Sequence, residues 1–158
     1  MCRQKSASNL LSNPGLDNSL TGWELGGDGT ARYSPNDADG CTASGSFSFG
    51  SIGDNARSEC VRGTQNTRYF LAFLFKASTT LPGSSGDCRI SFFDGNTCAN
   101  EIGASDEFGL ASDGNSWVAA SGDGTSPPGT GGIRVTCAGF AGYGFYDQFY
   151  LGLTAGTF

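Results

Sequence analysis

Apolar residues along this chain come in short runs with an alternating rhythm, and no window of a dozen residues holds a clean 3.6-residue period. The pattern predicts strands at 10–12, 23–25, 31–33, 46–51, 58–62, 69–77, 88–93, 117–120, 132–140 and 145–153. Turn residues separate them: Asn13-Pro-Gly, Gly26-Gly-Asp-Gly, Asp94-Gly-Asn and the Pro- and Gly-rich run 125–132. The stretch 101–110 reads as at most one short helical turn. Evenly spaced short strands with this punctuation predict an all-β fold, a two-sheet β-sandwich with jelly-roll topology.

Alternation assigns faces. In 69–77, Tyr69, Leu71, Phe73 and Phe75 share a core face, while Phe70, Ala72, Leu74 and Lys76 share a semi-apolar one. Such a second face is either covered by loops or forms a ligand platform. In 88–93, Ile90 and Phe92 point one way and Arg89, Ser91 and Phe93 the other.

Composition sharpens the class. The 158 residues fit one domain and include 26 Gly, one Met and no His. Residues 1–8 read as a flexible N-terminal arm and 9–158 as a single β-sandwich domain. The net charge is −6, without a basic run, which disfavours nucleic acid and anionic membrane surfaces as partners. The longest apolar run, 69–75, is strand-sized, so no membrane insertion is expected.

Six cysteines (Cys2, Cys41, Cys60, Cys88, Cys98, Cys137) without a C-x-x-C pair read as disulfides in a secreted, extracellular protein. Among fifteen connectivities, hairpin placement favours Cys41–Cys60 and Cys88–Cys98, leaving Cys2 for Cys137. The start of the chain reads as a mature form with an added initiator Met, a lipidated Cys2 being the other reading.

Four motifs in order carry a resemblance. They are Asn9-Leu-Leu-Ser-Asn-Pro-Gly-Leu-Asp followed by Leu20-Thr-Gly-Trp, then Ser44-Gly-Ser-Phe, Tyr69-Phe-Leu-Ala-Phe and Phe145-Tyr-Asp-Gln-Phe-Tyr-Leu. This series resembles jelly-roll carbohydrate-binding modules of the cellulose-, xylan- and β-glucan-binding group that accompanies bacterial glycoside hydrolases. The resemblance implies a polysaccharide partner, of the plant cell-wall β-glycan type, bound along a sheet face. It also implies a structural calcium ion held by Asp17 and Asp147, oxygen ligands that suit such an ion. Gln148 stands where the family has a second acid, and the cysteines exceed its norm. The run Asn36-Asp-Ala-Asp-Gly resembles half a calcium loop but lacks the downstream Glu, and reads as a turn.

Candidate ligand contacts are Phe70, Phe93, Tyr143 and Tyr146, whose rings would stack on sugar C–H faces, with Arg89 and Lys76 as polar neighbours. Tyr143 leads because glycines flank it. Trp23 and Trp117 read mainly as core. Catalysis is disfavoured: histidine is absent, and the four glutamates show no spacing that places a pair across a cleft. The expected function is therefore non-catalytic polysaccharide binding. The alternative is an extracellular structural or adhesive domain, a filament subunit self-assembling through its N-terminal arm.

Overall fold

The computed structural model describes residues 6–80, 82–138 and 143–156. Among them no residue is helical, and twelve strands form two antiparallel sheets. The first three are β1 (Trp23–Gly26), β2 (Arg32–Ser34) and β3 (Ser46–Phe49). Next come β4 (Asn55–Ser58), β5 (Val61–Arg62), β6 (Arg68–Ala77) and β7 (Ser85–Asp94). The rest are β8 (Asn100–Ala104), β9 (Phe108–Ala111), β10 (Val118–Thr125), β11 (Thr130–Ala138) and β12 (Gly144–Gly152). The larger sheet runs β1-β4-β11-β7-β8, with β5 on β11 and β9 on β7; the five-stranded sheet runs β10-β6-β12-β3-β2. Strands adjacent in sequence often change sheet: β6 and β7 lie opposite one another, as do β3 and β4.

The β6 alternation is as expected, with Tyr69, Leu71, Phe73 and Phe75 all buried. They meet Ile90 and Phe92 of β7 and Ile133 and Val135 of β11 in one core. An aromatic cluster closes one end: Trp23 lies 4.4 Å from Phe149 and 5.2 Å from Phe47, ring centre to ring centre. The Trp23 indole N–H donates to Asn13 O at 3.0 Å, which satisfies its one polar atom. Gly86 lets Phe75 approach β7, since a Cβ there would lie 2.1 Å from the ring.

Three sequence expectations change. The stretch 101–110 forms β8 and β9 instead of a helical turn, because both pair with β7. Residues 10–12 form no strand, although Leu10 N–H donates to Leu151 O at 2.8 Å. The disulfides are Cys60–Cys98 and Cys88–Cys137, not Cys41–Cys60 and Cys88–Cys98, and Cys137 is thereby withdrawn from Cys2. The reason is topological. Cys88 and Cys137 are register partners on the inner face of neighbouring strands, with Cα atoms 4.0 Å apart. Cys98, in the turn after β7, reaches Cys60 over the outer face of the same sheet. The chain between Cys41 and Cys60 crosses from one sheet to the other, so no hairpin places them together. Cys41 is itself disulfide-bonded.

Cys2 and most of the arm, residues 1–5, lie outside the described residues. Ser8 Oγ accepts from the Tyr150 hydroxyl at 3.3 Å, so the described end of the arm is tied to its own β12. No helix among the described residues is long and apolar enough to cross a membrane.

Candidate functional site

The outer face of the five-stranded sheet is built by the second register of its strands. One row crosses it: Arg32 on β2, Ser48 on β3, Phe145 on β12 and Lys76 on β6 are successive register partners. Arg32, Ser48, Phe145 and Tyr143 line a groove of about 350 Å³, together with Thr30, Ser34 and Ser78. Tyr143 is half-buried and held by its carbonyl, which accepts from Ser78 N–H at 2.8 Å. A half-buried ring, a guanidinium and several hydroxyls in one groove supply the stacking surface and hydrogen-bonding groups that a sugar ring needs.

Further along this face, Phe70 lines a smaller groove of about 150 Å³ with Ser121 and Asp123. Arg68 lies 5.0 Å above the Phe70 ring and holds Asp123 through two 2.9 Å hydrogen bonds. Phe70 and Lys76 thus share one face of β6, as their alternation implied, and Tyr143 borders the groove on that side.

Phe93 and Arg89 do not join them. Both sit on the outer face of the seven-stranded sheet, because β7 lies across the sandwich from β6. Phe93 is 8% exposed. The Cys60–Cys98 bridge passes beside it over Gly132, its register partner, where a Cβ would lie 2.7 Å from the Cys98 sulfur. Phe93 and Phe70 therefore cannot form one platform.

Tyr146 is a core residue, 0% exposed and stacked on Phe47 at 5.0 Å, and is corrected from a ligand ring. Phe145 was missed for the same reason. The signal was present in the alternation of β12, but a bulge between Asp147 and Tyr150 breaks its period, with Gln148 at φ 54°. Tyr146, Phe149 and Leu151 consequently all face inward. Tyr150 lies on the outer side but is covered by the chain near Gly156.

Of the two carboxylates expected to hold calcium, Asp147 lies on β12 and Asp17 in the loop before β1. Asp147 is completely buried, and accepts from Ala38 N–H at 3.0 Å and Gln148 N–H at 2.6 Å. Burial, with the negative charge of Asp37 behind it, pushes its carboxyl up to about 8. Burial also opposes ionisation of Asp37, but backbone N–H donors at Cys41 and Asp39 outweigh it and lower that carboxyl. Asp37 Oδ1 is buried without a hydrogen-bond partner. Asp17 is exposed in the first loop. Its Oδ1, Gln148 Nε2 and Ser44 Oγ each lie 3.3–3.8 Å from the point a Cβ on Gly15 would occupy. Among the described residues no group of three or more His, Cys, Asp or Glu is arranged to hold a metal. The orphaned Asp37 oxygen beside a buried carboxyl nevertheless matches what a hard cation takes.

No protein-family profile and no curated protein matches this chain. Solved structures do. One is the enzymatically active domain of tailspike protein 4 of bacteriophage CBA120, with TM-score 0.66 and 19% identity over 93% of this chain and 22% of that one. Another is the CBM22-1–GH10 modules of Clostridium thermocellum endo-1,4-β-D-xylanase 10B complexed with xylohexaose. It has TM-score 0.66 and 13% identity over 96% of this chain and 29% of that one. A xylan-binding domain of carbohydrate-binding module family 22 has TM-score 0.70 and 11% identity, covering 97% of this chain and 100% of its own. The chain thus spans under a third of the first two. This molecule has the β-sandwich fold of the jelly-roll carbohydrate-binding modules.

Proposed function

We propose that this chain is a secreted, non-catalytic carbohydrate-binding module. It holds a neutral polysaccharide along the outer face of its five-stranded sheet. The observation that carries this reading is the groove where Phe145 and Tyr143 lie beside Arg32, Ser34 and Ser48. Aromatic rings stack on the C–H faces of pyranose rings, while the guanidinium and hydroxyls fix the sugar oxygens. Phe70 extends the platform along β6, and Lys76 stands beside Phe145. The structural neighbours described as binding xylan or complexed with xylohexaose make β-1,4-linked plant cell-wall glycans the first class to test.

Asp147 and Asp37 would hold a calcium ion; Asp17, in the first loop, forms no three-acid group with them. Bound there, the ion supplies positive charge that keeps Asp37 and Asp147 ionised together. The residues themselves bind the 36–44 loop to β12 through the Ala38–Asp147 hydrogen bond.

Affinity electrophoresis over xylan, β-glucan, mannan and soluble cellulose tests the binding reading. Retardation by at least one, relieved in Phe145→Ala, is expected. No retardation by any of the four overturns it.

A further inference from the structure

The opposite face of the sandwich carries a second constellation. Nine Lys and Arg in the chain are outnumbered by fifteen acids, yet three arginines converge on one groove of about 250 Å³. Arg57 on β4 and Arg89 on β7 flank Thr136 of β11 as its register partners on either side. Arg134 follows two residues before Thr136 on the same outer face. Gly132 leaves room beneath the Cys60–Cys98 bridge, and that bridge and Phe93 wall the groove at one end.

The charges are incompletely matched. Arg89 meets Glu101 at 3.2 Å and Arg134 meets Glu24 at 3.3 Å, both surface glutamates that contribute little by pairing. The Arg57 side chain has no ion pair among the described residues. Arg134 is 14% exposed, and its Nε is buried without an acceptor, an expensive state for a charged donor. Next to this groove lies another hollow of about 310 Å³, sharing Arg89 and Thr136 and lined by Asp87 and Glu107. Burial, then the nearby Glu107 charge, raises the Asp87 carboxyl.

The geometry points to a second binding site here, for a uronic-acid-bearing glycan. The arginine groove takes the uronate carboxylate, and the Asp87–Glu107 hollow takes hydroxyls of the adjoining sugar. Arginine forks pair with carboxylates through two parallel hydrogen bonds. Carboxylates in turn accept from sugar hydroxyls, so the two ends of the combined groove match the two ends of one sugar acid. This site goes beyond the neutral-glycan groove and shares no residue with it. A free small anion offers the same charge without the hydroxyls, which separates the two sources.

Calorimetry of the wild-type chain with oligogalacturonate, its methyl ester and inorganic phosphate provides the test. Binding of the acid form, weakened by added salt and lost in the ester, is expected. Arg57→Gln and Arg89→Gln, both at the surface, should each weaken it about tenfold, the scale of a hydrogen bond to a charged group. Neutral-glycan binding and the melting temperature should stay unchanged in both variants. The proposal fails if oligogalacturonate does not bind, if the ester binds equally, or if phosphate binds as tightly as the acid. It also fails if Phe145→Ala, and neither arginine variant, removes uronate binding. None of these outcomes bears on whether the neutral groove exists.

Discussion

Phe145 and Tyr146 are consecutive in β12 and stand on opposite faces of it. Phe145 lines the outer groove, while Tyr146 is buried among Phe47, Phe49, Phe73 and Phe75. The two residues therefore answer to different measurements. Phe145→Ala should keep the melting temperature within a few degrees and lower glycan affinity by about 1 kcal/mol, the scale of one aromatic contact. Tyr146→Ala should destabilise the fold by about 3–5 kcal/mol in a denaturant titration, as large-to-small changes in a tight aromatic core do. Equal loss of stability in both variants would show that the face assignment is wrong.

The two bridges differ in place. Cys60–Cys98 lies on the outer face and closes 38 residues; Cys88–Cys137 is inside the core and closes 49. Loop-closure entropy gives about 4 kcal/mol for each. Replacing Cys60 and Cys98 together by Ala should cost no more than that in stability. Removing Cys88 and Cys137 should cost more, because it also empties core volume. Peptide mapping of the unreduced protein is expected to recover these pairs; a Cys41–Cys60 peptide would refute the observed topology.

Asp147 should make stability depend on pH in metal-free buffer. Its carboxyl titrates near 8 in the folded chain, against 3.8 for the ordinary group. Between those values the folded state holds a proton that the unfolded chain has released. The contribution is thus fully present below about pH 4, and it is lost as pH rises through about 8. Thermal melts in excess chelator should show the wild type losing stability from about pH 5 to about pH 9 more steeply than Asp147→Asn. Parallel curves for the two proteins would exclude the burial argument.

Calcium should reverse that trend. An ion bound only by the folded state raises the melting temperature by mass action. Near pH 8 the rise on adding calcium should be clear in the wild type and small in Asp37→Asn, which removes the charge behind the unpartnered Oδ1. An equal rise in both proteins would remove Asp37 from the ion's shell.

Gly86→Ala tests how closely the sheets meet. Its Cβ would fall 2.1 Å from a carbon of the Phe75 ring, and Phe75 is fully buried with no space to turn. Destabilisation of about 1–3 kcal/mol is expected from such overpacking, read from the urea midpoint. A neutral substitution would mean the sheets separate more easily than the core implies.

The sequence by itself determined the all-β class, the core face of β6 and most strand positions. Those depend on local alternation and on turn residues such as the Asn13-Pro-Gly and Asp94-Gly-Asn runs, whose conformational preferences act within a few residues. It also put Phe70 and Lys76 on the face of β6 opposite its core residues, and put Trp23 in the core.

Tertiary structure decided the rest. Which sheet each strand enters depends on pairing between segments up to about a hundred residues apart, so Phe93 and Phe70 shared a polar register yet lie on opposite sides of the sandwich. The disulfides followed that choice, since Cys88 meets Cys137 only because β7 and β11 are neighbours. The β8 and β9 segments carry too little alternation to be read alone and became strands by pairing with β7. One bulge at Gln148 turned Phe149 inward with Tyr146, and a single inserted residue reverses every side chain that follows it. The three arginines facing one groove come from β4, β7 and β11, whose proximity exists only in the folded sheet.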